Sequence, residues 1–97
     1  MAEVDYADKR VRRLCTNERE AKKELGAQIA KHLQNRMNEI HHVTVVEELL
    51  IGQGNWEELT GDRIGQWSAH LGRNWRLIVQ AYRGDVLVLV VDIVDYH

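Results

Sequence analysis

The chain has 97 residues, 44% of them hydrophobic and 29% charged, with a formal net charge of −2 and a pI near 6.2. Such a chain closes one hydrophobic core and not two, so a single domain over residues 1–97 is expected; the composition excludes a disordered chain and does not advertise a nucleic-acid binder. Cys15 stands alone, the first ten residues hold no apolar targeting segment, and the longest apolar run, Val86 to Val91, is too short to span a bilayer, so a cytoplasmic protein without membrane contact is expected.

The first half reads as helices. Val4 to Tyr6 is at most a short opening strand. From Asp8 onward Val11, Leu14 and Cys15 recur at helical spacing and predict a first short helix. Thr16 or Asn17 then caps a second helix, with Glu20 three residues after Asn17 in capping-box position. Ala21, Leu25, Ile29, Leu33, Met37 and Ile40 form one apolar stripe, which predicts that this helix runs on through Gly26 at a cost of about 1 kcal/mol relative to alanine. "TVVE" from Thr44 is a further capping box and predicts a third short helix before the "GQGN" loop at Gly52 to Asn55.

The second half reads as strands. "WEEL", "QWSAHL", "WRLIVQAY" and "VLVLVVDIV" are separated by "TGDRIG", "GRN" and "RGD", and the last two connectors have hairpin length and carry glycine. The layout is α+β, with N-terminal helices packed on one face of a small, mostly antiparallel twisted sheet. The last strand is apolar on both parities until Asp92, which predicts a central position.

Alternation places Trp67, Ala69 and Leu71 with Trp75, Leu77, Val79 and Ala81 toward the helices. Gln66, Ser68, His70, Arg76, Gln80 and Tyr82 then share the opposite face with Ile78, a polar and aromatic surface. Arg76 on that face is either paired with a neighbouring acid on a solvated sheet or placed to hold an anion, since its planar fork of donors suits phosphate. Charge is also uneven: Lys9 to Lys23 holds seven basic and two acidic residues. That run is either a solvated helix face or a seat for a polyanion. The histidines lack paired ligand spacing and one cysteine builds no zinc site, so no metal is expected.

The elements "ELTGDRIGQWSAHLGRNWRLIV" and the terminal "VDYH", in this order and spacing, resemble the RelE/ParE toxin superfamily. Within it they are similar to the HigB-type killer toxins of plasmid-maintenance modules. The likeness extends over nearly the whole chain, with "DKRVRRLCTNEREAKKELG" and "AKHLQNRMNEI" similar to the family's helices. It implies the RelE-like microbial RNase toxin fold and the activity of a type II toxin, a ribosome-dependent endonuclease that cuts translated mRNA without a cofactor. The implied partners are the ribosome, its mRNA and an antitoxin encoded beside the toxin, usually a helix-turn-helix protein of HigA type.

By the same resemblance Arg76 stabilises phosphate charge, His97 is acid or base, Tyr96 stacks or donates a proton, and Asp95 orients its neighbours. Glu57 stands where many members have a histidine, and Thr60 where they have a lysine. Glu57 is therefore the replacement base, with His70 a second source of an imidazole. Lys9, Arg10, Arg12, Arg13, Lys22, Lys23, Arg63 and Arg73 are the expected contacts to RNA and ribosome. The two departures keep two alternatives open: a ParE-like inhibitor of DNA gyrase, and an inactive member that only binds its antitoxin.

Overall fold

The computed structural model describes residues 3–43, 48, 54–63, 65–72, 74–82 and 87–95. In chain order these form strand β1 (Glu3–Tyr6), helices α1 (Lys9–Thr16), α2 (Glu18–Leu25) and α3 (Ala27–His42), then strands β2 (Glu57–Glu58), β3 (Gln66–His70), β4 (Trp75–Tyr82) and β5 (Leu87–Asp95). The strands make one sheet in the order β1-β5-β4-β3-β2. β1 runs parallel to β5, and the other three pairs are antiparallel.

The helix boundaries follow from capping. The Asp8 carboxylate accepts the Val11 N–H at 2.8 Å and starts α1. Asn17, not Thr16, caps α2, its side chain accepting the Glu20 N–H at 3.1 Å, while its own N–H closes α1 on the Arg13 carbonyl. Gly26 corrects the expectation of one long helix. It sits at φ 90°, ψ 157°, so it ends α2 and α3 begins anew at Ala27. A left-handed φ is cheap only for glycine, and it lets the chain turn while the apolar stripe stays on one side. The helix expected from Thr44 lies outside the described residues apart from Glu48.

The short opening strand pairs in parallel with β5, which so lies between β1 and β4, in the central position its apolar sequence predicts. One expectation about the sheet changes. The strand expected at "WEEL" shrinks to Glu57–Glu58, and Trp56 just before it is buried in the core at 5% exposure.

The helix-facing side of the sheet closes the core. Trp67, Ala69, Leu77, Val79, Val90 and Ile93 pack against Val11 and Leu14 of α1 and Leu33, Met37 and Ile40 of α3. Leu33, Ile40, Leu71, Leu77 and Val79 are excluded from water, each such side chain contributing roughly 1.5–3 kcal/mol of transfer free energy. Helices therefore cover one face, and the other face is where polar residues gather.

Candidate active site

Register, rather than sequence distance, builds this second face. Glu57 pairs with Ser68, Ser68 with Ile78, and Ile78 with Asp92, making one row across four strands. The next row joins His70, Arg76 and Val94. Glu57, Ser68, His70 and Arg76 thus come to one surface. Its centre is dry, with Ser68 at 2% and Ile78 at 0% exposure, whereas Glu57 is exposed and His70, Arg76 and Asp92 are half-buried.

Asp92 is the residue that strict alternation misses. Between Ile78 and Val79 the register slips by one, since Ile78 pairs with Asp92 but Val79 with Val90. The extra residue, Val91, is a β-bulge. It lets Val90 and Ile93, three apart, both enter the core and sends Asp92 to the open face. An unbroken strand would have put Asp92 on the same side as Val90. The Asp92 carboxylate accepts the N–H of Ile93 at 2.8 Å, which steadies the bulge.

Arg76 lies on β4, between β3 and β5, so its backbone is held on both sides. One Nη1–H of its guanidinium donates to the Trp75 carbonyl at 3.0 Å, drawing the head along the strand. β5 ends alongside: Val94 pairs with Arg76 and Asp95 with Trp75. Asp95 is exposed and by register belongs to the helix-facing parity, the face opposite Arg76. Tyr96 and His97 lie outside the described residues, as does Arg73. Thr60 is exposed after β2, and Arg63 falls in a single 3-10 turn, Gly61–Arg63.

The basic run occupies the helix layer and not the Arg76 face, and acids of α2 and β1 already engage much of it. Glu24 takes Arg10 at 2.8 Å on one oxygen and Arg13 at 3.2 Å on the other. Arg12 lies 3.9 Å from Asp5 and 5.7 Å above the Tyr6 ring, and Lys22 pairs with Glu18 one turn earlier at 3.1 Å. Lys9 and Lys23 are exposed.

Cys15 faces α1's packed side, and burial pushes its thiol up to about 12, which removes it as a nucleophile. Among the described residues no group of three or more His, Cys, Asp or Glu side chains gathers as metal ligands. Nor is any helix there long and apolar enough to cross a membrane.

This layout is that of the RelE/ParE-type toxins. The YoeB/ParE toxin of Agrobacterium tumefaciens superposes with a TM-score of 0.67 at 14% identity, over 98% of each chain. The heterotetrameric YoeB–YefM toxin–antitoxin complex of Staphylococcus aureus gives 0.66 at 14% identity, over 100% of this chain and 98% of that one. No protein-family model matches the sequence. The endoribonuclease HigB of Proteus vulgaris is 34% identical over 71 residues, spanning 73% of this chain and 75% of that protein. The chain belongs to the HigB endoribonuclease family of the RelE/ParE toxin superfamily.

Proposed function

We propose that this chain is one cytoplasmic toxin domain over residues 1–97 that cuts mRNA on the ribosome and is restrained by an antitoxin. Endonuclease toxin is the class of its family; ribosome dependence, a helix-turn-helix antitoxin of HigA type and the residue roles are the proposal. The observation that carries it is Arg76: a guanidinium on a rigid inner strand, on the face opposite α1 and α3, beside the strand end that leads into Tyr96 and His97.

Metal-free cleavage of RNA needs three things there. A base removes the 2′-OH proton, and the 2′ oxygen then attacks phosphorus. The bond from phosphorus to the 5′ oxygen breaks, an acid protonates that oxygen, and a cation stabilises the charge that builds on phosphate. The products are a 2′,3′-cyclic phosphate and a 5′-OH. Arg76 supplies the cation. Glu57, one strand beyond Ser68 and His70, is the base that stands in for the family's histidine. His97 is the acid, since an imidazole changes charge near neutral pH. Tyr96 holds the base or the phosphate, and Asp95 acts through the chain end. Lys9 and Lys23, with Arg63 and Arg73, meet ribosomal RNA through counterion release.

Induction in cells followed by mapping of mRNA 5′ ends tests the reading. Cuts phased with codons inside translated frames are expected. Intact mRNA with supercoiling defects would instead identify a gyrase inhibitor, and unaffected growth a binding-only member.

A further inference from the structure

We propose that Trp56, held by Glu39 of α3, is a positioning residue that fixes where Glu57 stands on the open face. The inference rests on Glu57 being the base of the proposed cleavage. β2 is an edge strand of two residues, paired with β3 at Glu57–Ser68 and Glu58–Trp67 and followed by one more bond, from the Leu59 N–H to the Gln66 carbonyl at 2.9 Å. So short a strand, with one side of its ladder unpaired, holds a side chain poorly by itself.

The missing rigidity comes from the residue before it. The Trp56 indole N–H donates to Glu39 Oε2 at 2.8 Å, and the other Glu39 oxygen lies 3.3 Å from the Arg36 guanidinium. Arg36 and Trp56 are 8% and 5% exposed, so this is a charge-assisted bond largely out of water. Gly54 completes the fixture. A Cβ there would stand 2.6 Å from the indole nitrogen and 2.8 Å from Arg36 Cδ, so only glycine lets the loop close over Trp56. The Gly54 carbonyl accepts the His70 N–H at 2.9 Å, which ties the same loop to the end of β3. Alternation does the rest: with Trp56 locked toward α3, the next side chain is thrown onto the opposite face, where Arg76 lies.

The test is single-turnover cleavage of an mRNA bound to purified ribosomes, with thermal melts of each variant. Trp56→Phe keeps the ring and deletes the N–H. It is expected to slow cleavage by between about 10- and 100-fold, the cost of a small misplacement, and to leave the half-saturating ribosome concentration within about twofold. Gly54→Ala, which drives the indole off Glu39 with every side chain still present, is the second variant and is expected to slow cleavage likewise. Glu39→Gln keeps an acceptor for the indole and is expected to lose less than Trp56→Phe.

The deciding arm is the double variant. In a Glu57→Gln background Trp56→Phe should add less than about twofold, because a residue acting through Glu57 has nothing left to position. Full activity in Trp56→Phe, a loss confined to ribosome binding, or an undiminished loss in the Glu57→Gln background would overturn the proposal. Should Glu57→Gln itself cleave at the parent rate, the base assignment fails first and the positioning role falls with it.

Discussion

The role proposed for Arg76 rests on where its strand lies. β3 and β5 flank it, so its Cα cannot move without disturbing two ladders, and a fixed cation is what a developing phosphate charge requires. Arg76→Ala is expected to lower cleavage by roughly 100-fold or more, in the range found for removing one preorganised donor, and to shift the melting temperature little. The placement of Arg76 on the open face was legible because an arginine interrupts an apolar run and strands alternate. Asp92 was not, because the bulge at Val91 is invisible in a segment whose neighbours are valine and leucine on both parities. Cys15 gives a second test at this scale. Its folded value, about 12, lies above the ordinary 9.0 and is raised by burial. Its contribution to stability is therefore full below pH 9 and is lost as pH rises from 9 toward 12. Native protein should react slowly with iodoacetamide at pH 8, and Cys15→Ala should flatten the alkaline loss of stability measured by urea unfolding.

Among the elements, the helical hairpin turns on Gly26. Its φ of 90° is one that a side chain resists, although a Cβ there would meet nothing within 4 Å. Gly26→Ala should therefore destabilise through the backbone alone, by about 1 kcal/mol or more in urea unfolding, with the same fold retained. The cap at Asn17 and the stripe from Ala21 to Ile40 were readable in the sequence because their causes are local. The break at Gly26 was not, since glycine is tolerated in helices and only packing of α2 on α3 decides whether the chain turns. The same holds for β2. "WEEL" has strand composition, but only Glu57 and Glu58 form the strand, and the Trp56 indole before them is held by Glu39, 17 residues away in sequence, a contact no local pattern shows.

The whole molecule presents two unlike sides. Helices carry the basic run, partly neutralised by Glu24, Asp5 and Glu18, while the open sheet face carries Glu57, His70, Arg76 and Asp92. Glu24→Gln separates the two meanings of that basic run. As an exposed ion-pair partner it should cost at most about 1 kcal/mol of stability. If the helix layer meets ribosomal RNA, the variant should bind ribosomes more tightly and with a steeper dependence on salt; if the run is only a solvated face, neither changes.

Cleavage of a defined mRNA on purified ribosomes, compared between the parent chain and Arg76→Ala, tests the role of Arg76 most directly. The parent chain should cut within the ribosome-held codon and leave a 2′,3′-cyclic phosphate, and Arg76→Ala at matched occupancy should form roughly 100-fold less of that product or lower still. Equal cleavage by both proteins, or cleavage of the free mRNA at the same sites and rate without ribosomes, would contradict the proposed function.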